Sequence, residues 1–367
     1  TATLLRSNNI QSGQLIFNNV QFVDRRKVQE RQIVRTGDIA ICMSNGSKRL
    51  VGKNGIFPQT HQSDILTVGA FCSIIRTKEG GNETFISQVL KSDEFFKQVE
   101  FSLAGSAINN LKDGDVEDYL FSFPPLPEQK KIASILTSVD EVIENTQKQI
   151  DKLQDLKKAT MNELLTKGIG HTDFKDSELG RIPRGWEVVT LNEVTVNHDS
   201  KRVPIKSVDR QSIQGKYRYY GASGVIDYVE DYIFDGRYIL LGEDGENVLS
   251  RNLPLAFIVE GKFWVNNHAH ILQPTEIVDI GFLCEYLESL DYKNIASGSA
   301  QPKITKSALS DIRVKLPSAG EQQQIIAVLS SIDKTIKENQ LKLSQTQSLK
   351  KSLMQDLLTG KVRVTVN

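Results

Sequence analysis

Apolar residues recur at alternating steps of three and four along two long stretches, residues 126–166 and 321–358. The first seam comprises Ile132, Leu136, Val139, Ile143, Ile150 and Leu153, interrupted by Thr146. The second comprises Ile325, Leu329, Ile332, Ile336, Leu343, Leu353 and Leu357, with Asn339 and Thr346 at polar seam positions. This spacing predicts two coiled-coil helices, each about 60 Å long at the α-helical rise.

Each predicted helix also carries a second line of apolar residues beside its seam. These residues are Ile135, Val142 and Leu156 in the first helix and Val328 and Leu349 in the second. Two apolar stripes on one helix indicate two packing surfaces. We expect one surface to pack within the chain and the other to bind a further protein, in two copies because the stripe occurs twice.

The two helical stretches are copies of one another. A shift of 193 residues superposes 128–166 on 321–359 with 16 identities in 39 positions and no gap. The register continues upstream, where Gly105-Ser106-Ala107 meets Gly298-Ser299-Ala300. A period of this length is too long for a solenoid unit and indicates a duplicated module. The opening of the second module, LGRIPRGWEVVTLNEV at 179–194, would have its counterpart before Thr1, so we expect the native N-terminus to be missing.

The segments that precede the helices alternate short β-type runs with loops rich in Gly, Asn and Ser, which is typical of mixed α/β domains. Strands are predicted within 32–43, 65–75, 235–242 and 254–261, and helices over 85–101 and 281–290.

Basic residues cluster in the first domain between Arg25 and Lys53, a segment that contains eight Lys or Arg residues and two acidic residues. The tip at 44–55, SNGSKRLVGKNG, has a composition suited to contacts with phosphates and base edges. The alternative is a solvated loop between two strands. The candidate DNA contacts here are Arg25, Arg26, Ser44, Asn45, Lys48, Arg49 and Lys53.

The second domain has a basic cluster interleaved with tyrosines and glycines, a pattern compatible with nucleic-acid binding. A twisted edge strand with exposed charges is the alternative. The candidates in this cluster are Lys201, Arg202, Lys206, Lys216, Tyr217, Tyr219 and Tyr220.

A polar run, WVNNHAHIL at 264–272, supplies Asn266, Asn267 and His268 as candidates for base contacts, because amide side chains pair well with adenine. These groups could equally satisfy buried backbone. Ser299, Gln301 and Lys303 in the GSAQPK segment complete the candidate set.

Known catalytic motifs are absent from the sequence. There is no GxxxxGK[ST] phosphate loop, no GxGxxG and no nucleophile elbow. Phe123-Pro124-Pro125-Leu126 lacks the flanking residues of an adenine pocket and is interpreted as a helix start. His268, His270 and Cys284 fall short of the four paired ligands of structural zinc. Lys plus Arg and Asp plus Glu both number 45, so net charge does not indicate the partner.

Several motifs together resemble one known family, the specificity subunit of Type I restriction–modification systems. They are LPEQKKIASILTSVDEVIE, GEQQQIIAVLSSIDKTIKE, LGRIPRGWEVVTL, KYRYYGASG, LLGEDGENV, WVNNHAH and the two GSA…D…P tails, spread over essentially the whole chain. The resemblance implies two target-recognition domains, each reading one half of a split DNA site. It also implies spacer helices that pack antiparallel and bind methyltransferase subunits, while methylation and ATP-driven cleavage belong to other subunits.

The sequence therefore predicts an α+β protein with an internal pseudo-two-fold repeat. Two mixed α/β target-recognition domains, at 1–124 and 170–316, are separated by two long antiparallel coiled-coil helices at 125–169 and 317–367. The predicted function is that of a non-catalytic subunit that reads a bipartite asymmetric double-stranded DNA target and positions two adenine-N6 methyltransferase subunits.

Restriction subunits are further expected partners, and no cofactor, metal or membrane is expected. Three cysteines without a CxxC pair favour reduced thiols and hence a cytoplasmic location. Two other classes stay open: a coiled-coil scaffold without DNA readout, and a freestanding DNA methyltransferase or nuclease.

Overall fold

The computed structural model describes residues 1–11, 13–57, 65–104, 109–298 and 301–365. The α-helices are α1 Glu83–Val89, α2 Asp93–Leu103, α3 Asp113–Glu117, α4 Leu126–Lys167, α5 Leu191–Val194, α6 Ser207–Ser212, α7 Asn247–Ser250, α8 Ile280–Ser289, α9 Lys306–Ser310 and α10 Ala319–Leu358. The strands are β1 Ala2–Leu5, β2 Ile10–Gln11, β3 Gln14–Leu15, β4 Gln21–Val23, β5 Ile39–Cys42, β6 Asn54–Ile56, β7 Leu66–Val68, β8 Cys72–Ile75, β9 Phe174–Ser177, β10 Gly180–Pro183, β11 Glu187–Thr190, β12 Thr195–Asn197, β13 Gln214–Gly221, β14 Gly224–Val229, β15 Phe234–Gly242, β16 Ala256–Val265, β17 Ala269–Pro274 and β18 Arg313–Leu316.

The chain forms two compact units. Unit 1 comprises Thr1–Lys148 and Asn339–Asn367, and unit 2 comprises Gln149–Glu338. Each long helix therefore contributes one half to each unit instead of standing apart from the α/β domains. The four-part division of the chain at 124, 169 and 316 stays a prediction.

Unit 1 is built on two small sheets. One has the strand order β2-β3-β6-β5-β8 and the other β4-β1-β7. Every residue of β5 is buried. Ile39 and Ile41 of this strand lie in one hydrophobic core with Phe95 and Val99 of α2. The continuous apolar run of β5 fits a strand that is covered on both faces.

The single helix predicted over 85–101 is wrong, because the structure has α1 and α2 with a break at Ser92. The Ser92 hydroxyl accepts a hydrogen bond from the amide of Phe95 and donates one to the carbonyl of Val89. Asp93 and Glu94 then occupy the first turn of α2, where negative charge is favourable. Ser92 is thus an N-cap residue, which apolar spacing alone did not reveal.

Unit 2 contains a six-stranded sheet in the order β12-β17-β15-β16-β13-β14. Its central strands β15 and β16 pair antiparallel over eight residue pairs, from Phe234 opposite Phe263 to Leu241 opposite Ala256. The predicted helix α8 packs against β15 and β16 and buries Phe282, Leu283 and Leu287. The predicted strands and helix of this domain are all present.

The two long helices pack antiparallel within unit 1. Ile132 and Leu136 of α4 lie in one core with Leu357 and Leu358 of α10. Farther along, the Lys350 ammonium pairs with the Asp140 carboxylate at 2.6 Å. The α4 residue number thus rises as the α10 number falls, which is the antiparallel direction.

Unit 2 repeats this arrangement. Leu165 of α4 shares a core with Ile325 and Leu329 of α10, and Lys157 pairs with Asp333 at 2.8 Å. Adding 193 to Asp140 and Lys157 gives Asp333 and Lys350, so the two units use the same ion pair with the two helices exchanged.

The hydroxyls of the seam threonines donate hydrogen bonds to backbone carbonyls of their own helices. Thr146 is buried, and its hydroxyl donates to the carbonyl of Val142 one turn earlier. Thr346 donates to Lys342 in the same way. A hydroxyl that bonds within its own helix can occupy a seam without an unpaired donor.

Buried glutamines connect the start of each long helix to its α/β layer. In unit 2 the Gln322 amide accepts from the Asp279 amide and donates to the carbonyls of Ile277 and Pro317. In unit 1 Gln129 makes the matching three bonds with Asn82, Gly80 and Pro124. Both side chains are almost completely buried.

We expect Gln322→Ala to lower the free energy of unfolding by about 1–3 kcal/mol, because it leaves buried backbone groups without hydrogen-bond partners. Urea denaturation measures the change. Gln323→Ala, at the exposed neighbouring position, is the control, and equal losses in the two variants would contradict the expectation.

Candidate nucleic-acid interface

Three chain segments of unit 2 meet where β15 ends. The amide of Glu243 donates to the carbonyl of His268 at 2.9 Å, and the amide of Ile304 donates to the carbonyl of Glu243 at 2.8 Å. Asp244 forms an isolated antiparallel bridge with Lys303. We name this arrangement junction 2 and define it as residues 243–245, 266–268 and 302–304.

Unit 1 contains the same arrangement at the end of β5. The amide of Met43 donates to the carbonyl of Phe71 at 2.8 Å, the amide of Leu111 donates to the carbonyl of Met43 at 2.7 Å, and Ser44 bridges to Asn110. Junction 1 is therefore residues 43–45, 69–71 and 109–111. Leu111 and Ile304 are related by the 193-residue shift, whereas the other two segments are displaced by insertions.

A buried polar network supports junction 2 from below. His270 is almost fully buried, and its Nδ1 lies 2.6 Å from Asp199 and its Nε2 lies 2.8 Å from the carbonyl oxygen of Ile304. Both ring nitrogens thus face acceptors. The second carboxylate oxygen of Asp199 accepts from the amide of Ile271.

The ionised form of Asp199 is favoured in this network. Burial opposes ionisation, but the hydrogen bond and charge of His270 and the bond from the Ile271 amide hold the pKa of Asp199 below its ordinary value of 3.8. Because that pKa is lower in the folded chain, the stabilisation is complete above about pH 4 and is lost as the pH falls through the folded-state pKa.

We expect Asp199→Asn to flatten the acid limb of the stability profile, since the substituted amide does not titrate there. Urea denaturation between pH 3 and pH 7 measures this. The conservative Asp231→Asn at an exposed position should leave the profile as in the parent chain. If the free energy of unfolding of the Asp199→Asn variant fell with pH as steeply as that of the parent chain, Asp199 would not be the source of the acid sensitivity.

A second buried carboxylate, Glu243, holds two cations at junction 2. Arg202 and Lys303 both bind it, the latter at 3.0 Å. Desolvation opposes ionisation, yet these hydrogen bonds hold the pKa of Glu243 below its usual range. Arg202 also donates to the carbonyls of Asn267 and Ala269, so it stabilises the turn at 267–268 between β16 and β17.

Four predicted DNA contacts are therefore corrected. Arg202 is largely buried and paired with Glu243, so its charge is already neutralised. Tyr219, Tyr220 and Asn266 are buried. The Tyr219 hydroxyl accepts from the amide of Ile205, and the Asn266 side chain accepts from the amide of His268. These residues support the surface and do not lie on it.

Other candidates remain exposed at or beside junction 2. Asn267, His268, Gln301 and Lys303 all present exposed side chains, and His268 lies 2.9 Å from the carboxylate of Asp244. Ser299 lies outside the described residues.

The remaining unit 2 candidates lie away from the junction 2 segments in the chain. Lys201 and Lys206 are exposed in the segment before α6, whereas Lys216 and Tyr217 belong to β13. Tyr217 packs against Tyr232, and Lys262 lies over the Tyr232 ring at 4.4 Å. Lys216, Tyr217, Tyr232 and Lys262 form a separate cation–aromatic patch.

In unit 1 the basic tip continues directly from junction 1. Ser44 and Asn45 belong to the junction, and the Asn109 side chain donates to the carbonyl of Gly46. Lys48 and Arg49 follow in an exposed turn and make no ion pair within the described part of the chain, while Lys53 is half-buried. Arg25 and Arg26 instead pair locally with Glu30 and Asp24.

Sequence reasoning missed several residues of the two junctions: Phe71, Asn109, Asn110 and Asp244. The Phe71 side chain is 66% exposed. The 193-residue shift aligns Asn110 with Lys303, so the candidate Lys303 could have pointed to Asn110 in the sequence. Phe71 lies outside that register, and only the shared hydrogen bonds reveal its position.

His268, His270 and Cys284 have other roles in the structure than metal binding: His268 contacts Asp244, His270 contacts Asp199, and Cys284 packs in the core. Cys284 is buried in the core of α8, where burial raises the pKa of its thiol to about 12. Among the described residues, no three His, Cys, Asp or Glu side chains are grouped so that they could hold a metal ion.

The described helices also include none that is long and apolar enough to cross a membrane.

The two units thus have the same backbone junction with different side chains, which defines the chain as a duplicated module. Residues 35–155 and 183–345 match the family model of the Type I restriction modification DNA specificity domain. The chain belongs to this family.

Relatives with curated names support this assignment. The chain is 31% identical over 373 aligned positions to the Type I restriction enzyme MjaVIII specificity subunit of Methanocaldococcus jannaschii, covering 90% of this chain and 80% of that protein. It is 32% identical over 155 positions to the EcoKI specificity subunit of Escherichia coli K12, covering 42% and 33%. The predicted function as a DNA specificity subunit is confirmed.

Solved structures share the fold at low sequence identity. The S subunit of a Type I restriction–modification system from M. genitalium has a TM-score of 0.61 at 16% identity, covering 100% of this chain and 90% of that one. A chain from a structural study of assembly and conformational transition in a type I system has a TM-score of 0.59 at 17% identity, covering 98% and 92%. The predicted fold class is confirmed.

Proposed function

We propose that each unit reads one half of a bipartite, asymmetric DNA target through its junction, and that the chain positions adenine-N6 methyltransferase subunits on that target. The observation that carries this proposal is the repeated junction with unlike side chains. Junction 1 presents Ser44, Asn45, Phe71 and Asn110, and junction 2 presents Asp244, Asn267, His268 and Lys303. Two readers with different side chains select two different half-sites.

The chemistry of the exposed groups suits both kinds of DNA contact. Asn and Gln side chains pair with adenine, and Lys binds guanine or phosphate. In unit 1 Lys48 and Arg49 extend beyond Asn45 as phosphate contacts, with Lys53 behind them. In unit 2 Gln301 and Lys303 lie beside the turn, while Lys201, Lys206, Lys216 and Tyr217 offer a second contact area.

The partner surface is the off-seam stripe of the long helices. Val142, Leu156, Val328 and Leu349 are between 40% and 54% exposed, although each is a large apolar side chain on a helix. Ile135, in contrast, packs partly against the unit 1 core. We propose that the four exposed residues bind two methyltransferase subunits, with restriction subunits joining the complex.

The catalytic steps belong to those partners in this proposal, so the purified chain alone neither methylates nor cuts DNA. The three cysteines are free thiols, which suits a complex that acts in the reducing cytoplasm.

Methylome sequencing of cells that carry this chain with its methyltransferase tests the proposal. We expect Asn267→Ala with Gln301→Ala to relax specificity in one half-site only, and Asn45→Ala with Asn110→Ala in the other half-site only. Loss of a good base contact costs about 1–3 kcal/mol of discrimination. Relaxation of both halves by one pair of substitutions, or of neither half by both pairs, would contradict the assignment of the junctions.

A further inference from the structure

Two cysteines occupy the strand pair directly before junction 1. Cys42 is the last residue of β5 and lies opposite Cys72, the first residue of β8. The next residues toward the junction, Met43 and Phe71, belong to it and share a hydrogen bond. Both cysteines are buried free thiols. A chemical change at this pair therefore acts on two of the three junction segments at once.

The strand register places the two thiols side by side. The amide of Cys42 donates to the carbonyl of Lys53, and the carbonyl of Cys42 accepts from the amide of Gly52, so neither group bonds to β8. Cys42 and Cys72 are thus a non-hydrogen-bonded pair, in which opposite Cα atoms lie about 4.5 Å apart. A disulfide accepts Cα separations of roughly 4.4–6.8 Å. A covalent bond can therefore join the two strands here without a large backbone movement.

The equivalent position in unit 2 carries no sulfur. Junction 2 directly follows the pair Gly242 and Ala269, which lie opposite each other on β15 and β17. Small side chains thus occupy this place before both junctions. Only unit 1 has two groups there that can react with each other.

The contact between the two thiols makes one of them the more acidic. The Cys72 thiol donates a hydrogen bond to the sulfur of Cys42, and this bond, helped by the charge of Lys53, lowers the pKa of Cys42 to about 7 although burial opposes it. The same contact, together with burial, raises the pKa of Cys72. Cys42 is therefore the nucleophilic sulfur near neutral pH, because the thiolate and not the thiol attacks an electrophile.

A cavity of about 430 Å³ gives access to the pair. Cys72 lies on its wall together with Asn8 and Phe71, whose side chains are exposed, so the cavity opens to solvent. Hydrogen peroxide is only slightly larger than water and fits this space.

We propose that Cys42 and Cys72 are a redox modification site, which hydrogen peroxide converts to a reversible intrachain disulfide that alters the reading surface of unit 1 alone. The Cys42 thiolate attacks one peroxide oxygen, which forms a sulfenic acid and releases hydroxide. The hydroxide takes the proton of Cys72, and the new thiolate attacks the sulfenic sulfur. The S–S bond forms as a second hydroxide leaves, so one thiolate, one thiol and one peroxide give one disulfide, one water and one hydroxide.

The disulfide affects DNA recognition through Ser44, and this consequence rests on the proposed function of junction 1. In its thiol form Cys42 donates to the carbonyl oxygen of Ser44 at 3.4 Å. The disulfide has no hydrogen to donate, and it fixes the spacing of β5 and β8 immediately before Ser44 and Phe71. In a reducing cytoplasm such a bond is transient, which is typical of redox-sensing cysteines.

Peroxide titration of the purified full chain, followed by peptide mapping without reductant, tests the chemistry. We expect one linked peptide that joins Cys42 to Cys72, reversal by dithiothreitol, and an unmodified Cys284, which is a buried thiol elsewhere in the chain. In Cys72→Ala, which carries the residue of unit 2, the reaction should stop at a sulfenic acid on Cys42 that dimedone traps. Absence of the link, a link between two chains, or equal oxidation of Cys284 would overturn the proposal.

The effect on recognition is measured after the oxidised chain, freed of peroxide, is assembled with the methyltransferase. Binding to DNA duplexes with one base change in either half-site reports the discrimination of each unit. Oxidation should reduce discrimination in one half-site by about tenfold, the scale of one base contact, and leave the other half-site unchanged. Peroxide treatment of Cys72→Ala should change neither half-site.

The affected half-site should be the one that Asn45→Ala with Asn110→Ala relaxes. If the disulfide formed and both half-sites were read as before, while the two Asn substitutions relaxed one of them, the regulatory inference would be wrong and the proposed function would stand. If the Asn substitutions relaxed neither half-site, the proposed function of junction 1 would fail, and the peptide map alone would decide whether the redox site exists.

Discussion

A chain that carries Leu156→Asp together with Leu349→Asp is expected to fold but to lose its assembly with two methyltransferase subunits. Both leucines are more than half exposed and are related by the 193-residue repeat. Burying two leucines at an interface contributes about 3–6 kcal/mol, so their loss weakens assembly by roughly a hundredfold or more. A carboxylate placed in the same interface adds a desolvation penalty.

Copurification and analytical ultracentrifugation with the methyltransferase measure this effect. Leu341→Asp is the matched control, because Leu341 is 61% exposed on α10 but lies off the stripe. Thermal unfolding of each variant checks that the units remain folded. If the double variant still recruited two subunits, the stripe would not be the partner surface.

The second large effect is expected from Lys48→Ala, Arg49→Ala and Lys53→Ala combined. Each lost phosphate contact lowers the slope of log affinity against log salt by about 0.9, so three contacts remove close to three units. Binding by the assembled complex should weaken most at low salt, because fewer counterions are released.

A titration of DNA binding over a range of salt concentrations measures that slope. Replacing Lys130, Lys131 and Lys158 by Ala is the charge-matched control, since these lysines are exposed on α4. An unchanged slope in the tip variant, or an equal change in the control, would place the DNA away from the tip.

Helical spacing in the sequence predicted α4 and α10 well. Their seams span many turns, so a periodic signal accumulates that no single residue could supply. The same spacing did not reveal the break between α1 and α2, because a serine cap is a local hydrogen-bond choice that leaves the apolar period intact. Ser92 decides that break through two hydrogen bonds.

Residue type in the sequence overestimated the DNA surface. Arg202, Tyr219, Tyr220 and Asn266 have the composition of nucleic-acid contacts, yet the fold turns them inward. A basic or amide side chain serves a buried network as well as a phosphate or a base. Only the surrounding acceptors, such as Glu243 for Arg202, distinguish the two uses.

The sequence by itself determined the duplication, the two long helices, the mixed α/β class and the family, because each depends on many residues in a fixed register. Only the tertiary structure decided which polar residues stay exposed, because that depends on contacts between segments distant along the chain. It brought 43–45, 69–71 and 109–111 together as junction 1 through four backbone hydrogen bonds and one bridge. Insertions between these segments hide the match with junction 2 in the sequence, whereas backbone pairing does not depend on side-chain identity and preserves it.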